Sequence, residues 1–335
     1  MKILTIIVPA YNVEEYLEKT LKSFVAPEIL ELIEVLIIDD GSTDNTSGIA
    51  KRFCQSYPNT FFYISKENGG HGSTINTGVP LAKGKYLKIV DGDDWVNTGV
   101  LIELVDFLKN CSVDAVLTNY QTYNKDTQET IDCKRKGVEF KKTYRANQDL
   151  IINSHFALTT VCFRTDFVRG LNFKLQEHTF YVDEEFIAIP LLHIQSWCYL
   201  DLTLYVYLIG NVNQSISMQS RIKRLDHMER VISRLLKEYS QTTADENHCM
   251  PLLQRLTVIV NGYYLCCLIY YPDRKQGRQL YLSMKSKVDS ITELKQQVAK
   301  KRVFFNVLHS LHVNGKLYDS FKENTFFKKL FQKAF

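Results

Sequence analysis

Short apolar runs that alternate with amphipathic stretches, several of them ending in an acidic or polar loop, constrain this chain more than any other feature. Leu4 to Val8, Val35 to Ile38 and Phe61 to Ile64 have the length and composition of buried strands. Helical patterns separate them, and that order predicts an α/β fold with a mixed, mostly parallel sheet wrapped by helices. A first helix is predicted from near Val13, with Asn12 as its N-cap, because Tyr16, Leu17, Leu21, Phe24 and Val25 recur at the spacing of one buried face. A second follows the capping cluster Ser42-Thr43-Asp44, and a third follows Gly72-Ser73-Thr74. A fourth strand, Tyr86 to Val90, runs straight into Asp91-Gly92-Asp93-Asp94, and a fifth, Ala115 to Thr118, follows a helix that starts near Thr98. Residues 9–12, 39–44 and 91–94 then lie just past the carboxyl ends of three strands, which is where open parallel sheets bind ligands.

After Asp126 the pattern weakens, and polar sequence as far as Arg145 reads as a hairpin or loop excursion. From Ser217 strand signals nearly vanish, while Arg221 to Tyr239 and Leu252 to Tyr271 read as helices. With 335 residues, 45% of them hydrophobic, the chain can bury a sizeable core. A formal charge of +4 gives no case for a nucleic-acid partner. The charge is uneven, however: from Lys300 onward eight lysines and arginines face two acids, net +6. This tail also contains Phe304, Phe305, Phe326, Phe327 and Phe331. It can lie on an anionic membrane as a basic amphipathic helix or pack within the protein or on a second copy. Adjacent phenylalanines spread around a helix, which favours packing.

Eight cysteines without a C-x-x-C pair read as reduced core residues. The opening apolar run is too short for a secretory signal, and the uncharged stretch Leu256 to Pro272 falls short of the roughly 20 residues of a membrane span. The expected location is the cytoplasm, extending to the inner face of the cell membrane.

Three carboxylates within residues 91–94 at one strand end repel one another unless a cation neutralises them. Hard oxygen ligands suit Mg²⁺ or Mn²⁺, and such an ion would recruit a diphosphate. The competing reading is an acidic turn that caps the next helix. Residues 39–44 likewise serve as a turn with N-cap groups, although a carboxylate there can also accept a uracil imide N–H or a ribose hydroxyl while Tyr11 stacks on the base. Residues 66–73 are glycine-rich ahead of a helix, so their amides can approach an anion closely. His71 in this loop has the ordinary alternative of a solvated histidine. Neither a P-loop nor G-x-G-x-x-G occurs at these strand ends.

Pro9-Ala10-Tyr11-Asn12, Asp39-Asp40-Gly41-Ser42-Thr43-Asp44, the stretch from Asn68-Gly69-Gly70 to Asn76-Thr77-Gly78, and Asp91-Gly92-Asp93-Asp94 together resemble the family-2 glycosyltransferases of GT-A fold. The resemblance covers about the first 120 residues. It implies a nucleotide-sugar donor, most often UDP-linked, with Pro9 and Tyr11 beside the base, Asp40 on the uracil and Asn68 on the nucleotide. It further implies that Asp91-Gly92-Asp93 is a D-x-D motif holding ribose and the metal-bound diphosphate, with Asp91 and Asp93 at the metal. A second block, residues 180–186, matches the acidic segment of such enzymes and makes Asp183 the general base that takes the acceptor hydroxyl's proton. Asp183 can otherwise serve as a helix N-cap.

Two positions depart from the family pattern: Ile75-Asn76 replaces an Arg-Asn pair, and Val182 stands where Glu commonly precedes the base. Lys66, Arg221 and Arg224 are candidates to replace the missing arginine. No Q-x-x-R-W box of processive synthases occurs, which implies one sugar per acceptor encounter.

The resulting expectation is an inverting, metal-dependent hexosyltransferase acting on a glycan or lipid-linked acceptor. Residues 1–220 would form the catalytic domain, 1–115 its nucleotide-sugar half and 116–220 its acceptor half, with 221–335 a helical region. Peripheral membrane contact or a homo-oligomer through the C-terminal helices belongs to the same expectation. A nucleotidyltransferase and a catalytically silent partner subunit are the alternatives.

Overall fold

A computed structural model describes residues 1–134, 137–145, 156–210, 217–242 and 246–323. The chain divides into two compact units, Met1–Asn211 and Val212–Phe335. In the first, β1 (Leu4–Ala10), α1 (Leu17–Lys22), β2 (Ile33–Asp39), α2 (Thr46–Ser56), β3 (Phe61–Ser65), α3 (His71–Leu81) and β4 (Tyr86–Ile89) alternate as the apolar runs require. There follow β5 (Trp95–Val96), α4 (Thr98–Asn110), β6 (Ala115–Asn124), β7 (Thr130–Cys133), β8 (Thr143–Arg145), β9 (Val161–Arg164), α5 (Thr165–Gly170), α6 (Asp183–Leu191) and β10 (Ser196–Ile209).

One sheet takes the order β3-β2-β1-β4-β9-β6-β10-β5, with β7 added to β6 and β8 to β10. The β3-β2-β1-β4 half is parallel, while β9 enters antiparallel between β4 and β6. Strands β1 and β2 are buried along their whole length, which is why they read as unbroken apolar runs and not as alternating ones. Leu4, Ile6 and Val8 share a core with Leu17, Leu21 and Phe24 below α1 and with Leu101, Leu104 and Leu108 of α4. On the opposite face α3 closes onto Ile7 at Gly78, where a Cβ would come within 2.7 Å of the Ile7 side chain.

Strands β4 and β9 pair only at Tyr86 and Leu87 and then part. Lys88, 1% exposed, fills the gap, donating to the carbonyls of Thr159 at 2.9 Å and Val161 at 3.4 Å. Burial pulls its ammonium below the usual lysine value, and the two carbonyls compensate for the lost water.

Several boundaries differ from expectation. The first helix begins at Leu17 without a side-chain cap, because Asn12 accepts from Thr43 N instead. The fifth strand runs on to Asn124, supported by β7 on one side and β10 on the other.

The second unit contains α7 (Met218–Lys223), α8 (Leu225–Gln241), α9 (Glu246–Leu265), α10 (Arg274–Asp289), α11 (Thr292–Ser310) and α12 (Gly315–Glu323). Leu225, Met228, Val231, Ile232, Leu235 and Leu236 form the buried stripe of α8 at helical spacing. Helix α9 continues as a π turn over Cys266–Tyr270. This corrects the expected length: Cys249–Tyr270 makes a 22-residue segment long and apolar enough to cross a membrane, with 67% of its apolar window buried inside the protein. It packs against α8 and α11. The described part of the basic tail also buries apolar side chains, Phe305 and Leu308 on α11 and Val313 and Tyr318 beyond it. Phe326, Phe327 and Phe331 lie outside the described residues.

Candidate active site

Parallel pairing brings the ends of β1, β2 and β4 side by side, with Ala10 opposite Asp39 and Ile7 opposite Ile89. The loops after β1 and β2 are stitched together. Asn12, in the left-handed region at φ 51°, accepts from Thr43 N at 2.8 Å, and its own N–H donates to Ser42 Oγ at 3.0 Å. Glu14 N donates to Asp44 Oδ2 at 3.0 Å, while Asn45 N donates to Glu14 Oε2 at 2.8 Å. Tyr11 stands 51% exposed above this seam, an aromatic surface open to a planar ligand. Pro9 is buried within β1 and acts through its carbonyl, which accepts from Gly92 N at 3.1 Å. A Cβ at Gly92 would come within 2.9 Å of that carbonyl and 3.1 Å of Val13, so the tight approach of the D-x-D turn to β1 needs glycine.

Asp40, expected on the uracil, is tied into the glycine loop by several donors. It is 2% exposed, and its Oδ1 accepts from Lys66 Nζ at 2.9 Å, Gly69 N at 2.9 Å and Ser73 Oγ at 3.1 Å. Its Oδ2 accepts from Gly70 N at 2.7 Å. These contacts bind both carboxylate oxygens to the glycine loop. Lys66 donates to Asp40 Oδ1 and Ser73 Oγ, each at 2.9 Å. Asn68 donates from its amide to the Asp40 carbonyl at 3.0 Å, which leaves its side chain exposed at the same loop. Asp40→Ala is expected to destabilise the chain by about 3 kcal/mol or more, because buried donors lose a charged acceptor. Urea unfolding checks this, and an unchanged midpoint would reduce Asp40 to a surface turn residue.

Four carboxylates converge beyond this loop. Asp91 Oδ1 lies 2.8 Å from His71 Nε2. Asp94, 1% exposed, accepts from Tyr205 Oη at 2.5 Å and Leu208 N at 2.8 Å, so it ties the turn to β10. The helix-capping role falls to Asn97, which accepts from Val100 N. Asp93 has no side-chain donor among the described residues. Burial, then the Asp91 charge, pushes its carboxyl up to about 6. Asp183 opens α6 and is exposed, and its charge, with those of Asp91 and Asp93, acts on His71. Burial alone would pull the imidazole down, but these carboxylates, Asp91 foremost, hold it above its ordinary value. The same four carboxylates reinforce burial in raising the Tyr207 hydroxyl.

The acidic block of α6 divides its labour. Glu185 is fully buried and accepts from Gln176 N at 3.2 Å and from Gln176 Nε2 at 2.5 Å. Asn76, in the place of the expected Arg-Asn pair, donates to the Leu175 carbonyl and accepts from Leu175 N, each at 2.9 Å. Both fix residues 175–178 against the glycine loop, where His178 N donates to the Gly69 carbonyl at 2.5 Å. Tyr205 carries no local signal for this site, since its partner Asp94 lies 111 residues away in the chain, and Glu185 reads in the sequence only as a first-turn acid of α6.

Among the described residues no three His, Cys, Asp or Glu side chains close around a metal position. Asp93, with no side-chain donor among the described residues and raised by burial and then by its neighbour Asp91, nevertheless fits a hard cation, and Mg²⁺ or Mn²⁺ ordinarily takes only one or two protein carboxylates beside phosphate oxygens.

A family model described as glycosyl transferase family 2 matches residues 5–178. The chain is 36% identical over 121 residues to the glycosyltransferase GlyA of Streptococcus pneumoniae, covering 36% of this chain and 17% of that protein. It is 36% identical over 104 residues to the minor teichoic acid biosynthesis protein GgaB of Bacillus subtilis, covering 31% of this chain and 12% of that one. The matched stretches thus span far less than two thirds of these curated relatives. In fold, the chain is similar to S. aureus TarS 1-349, solved in complex with UDP-GlcNAc, with a TM-score of 0.60 and 18% identity over 93% of each chain.

Proposed function

The chain belongs to glycosyl transferase family 2, and from that membership we propose that it transfers a single sugar, with inversion, from a UDP-sugar to a hydroxyl of a glycan or lipid-linked acceptor. The observation that carries this reading is the meeting of Asp91 and Asp93 at the end of β4 with Asp183 at the start of α6, all three acting on His71. Tyr11 supplies the stacking surface for the base, and the loop organised by Asp40 and bearing Asn68 borders the nucleotide. Asp91 and Asp93 would hold Mn²⁺ or Mg²⁺ with the diphosphate. The ion's contribution when bound is to offset the charge of the leaving group.

Asp183 accepts the proton of the acceptor hydroxyl as that oxygen forms its bond to the anomeric carbon and the bond to the diphosphate breaks. Attack on the face opposite the leaving group inverts the anomeric centre. Residues 1–220 supply this chemistry in the proposal, and the helical remainder serves contacts with membrane or a second copy. Leu282 on α10, Val303 and Val307 on α11 and Leu311 just past it support the latter, being exposed beside Arg278 and Arg302. All eight cysteines are free, as a cytoplasmic location would favour.

A panel of nucleotide sugars, each incubated with the full chain and Mn²⁺, tests the proposal. Metal-dependent release of UDP from one or a few donors is expected. Conversion of a nucleotide sugar and added pyrophosphate to UTP and a sugar 1-phosphate would indicate a nucleotidyltransferase, and no turnover of any donor despite nucleotide binding would indicate a silent partner subunit.

A further inference from the structure

His71 stands on a backbone held from several directions. Gly70 N donates to Asp40 Oδ2 at 2.7 Å, and the Gly69 carbonyl accepts from His178 N at 2.5 Å. Gly72 abuts residues 175–176 so closely that a Cβ there would fall 2.4 Å from the Gln176 carbonyl. Thr74 Oγ1 donates to the His71 carbonyl at 2.6 Å. A ring on so fixed a support cannot follow a wandering carboxylate, so the ring determines where the carboxylate sits.

Asp91 needs that restraint. Among the described residues His71 is the only side chain that hydrogen-bonds its carboxylate, at 2.8 Å. Two residues on, Asp93 adds a second carboxylate whose repulsion favours turning Asp91 away. An ionised carboxylate only accepts, so Nε2 carries the hydrogen and donates.

We propose that His71 is the positioning residue of the donor site: by holding Oδ1 of Asp91 it presents the remaining oxygen, together with Asp93, to a divalent cation and the nucleotide diphosphate. This rests on the donor-site reading above and gives His71 a role exerted through Asp91. The three-residue step from Asp40 through Gly70 to His71 also links the order of the glycine loop to the geometry of the D-x-D turn.

Binding of Mn²⁺ to the full chain in the presence of UDP, followed by calorimetry, tests the assignment without turnover. His71→Ala should weaken Mn²⁺ binding by about 10–100-fold, the usual effect of losing an outer partner of a metal ligand, while metal-free uridine binding stays unchanged. His71→Gln, whose amide N–H reaches as far as Nε2, should restore wild-type binding, and His71→Asn, whose amide stops short, should behave as alanine. Wild-type Mn²⁺ affinity in His71→Ala overturns the assignment, as does an equal loss in all three variants. If UDP binds the wild-type chain no more tightly with Mn²⁺ than without, the metal-dependent donor site itself falls, so the two failures are read from different proteins.

Discussion

Replacing Asp183 with Asn is expected to lower sugar transfer by about 10²-fold or more while leaving UDP-sugar affinity intact, as loss of a general base does. The substitution keeps size and shape at the first position of α6, and Asp183 is exposed there, so the fold has little reason to respond. Its neighbour Glu185 is the opposite case: fully buried and bound to Gln176, it holds structure in place. Glu184→Gln, changing a charge in the same helical turn, should leave transfer nearly normal. Steady-state transfer with donor affinity measured separately distinguishes these outcomes. Near-normal turnover in Asp183→Asn would return the residue to the role of a first-turn acid that complements the helix dipole.

Asp93→Asn should abolish the metal-dependent part of UDP binding and, in the absence of metal, make the chain more stable. The folded carboxyl sits at about 6 against an ordinary 3.8. Folding therefore favours the protonated form, and this stabilising contribution is complete below the unfolded value and lost as pH rises through about 6. Near neutral pH the ionised group costs the fold up to about 3 kcal/mol, an amount reduced by whatever water still reaches it. Asparagine removes that cost. Urea midpoints at pH 7.5 should rise in the variant, and its advantage should shrink toward pH 4. A variant less stable than wild type at neutral pH, or one retaining Mn²⁺-enhanced UDP binding, would contradict the assignment.

Much of the first unit was legible because its central strands are buried on both faces and leave unbroken apolar runs, each delivered to a polar loop at a predictable end. The acidic turn at 91–94 was equally plain. Partnership was not. Asp94 bonds a tyrosine 111 residues away and Asp91 a histidine 20 residues away, and no local period reports such pairs. Asp40 is a related case: a strand-end aspartate gives no local sign of the lysine and glycine-loop donors that the fold brings to it. Asn12 carried a strong capping signal, yet its oxygen went to another loop. In the second unit the stripe of α8 was readable, but the π turn that prolongs α9 has no periodic signature.

The seam between the loops after β1 and β2 bears on how such a site can be re-engineered. Asn12, Val13 and Glu14 on one side are bonded to Ser42, Thr43, Asp44, Asn45 and Thr46 on the other, and five of these bonds join a backbone N–H to a side chain across the gap. Neither loop is therefore a module. Grafting residues 39–46 from a homologue with another base preference would orphan N–H groups in residues 12–14, and the reverse graft would orphan those of Thr43 and Asn45. The unit of exchange is the pair, and recombination that respects only chain continuity would place its crossover inside it.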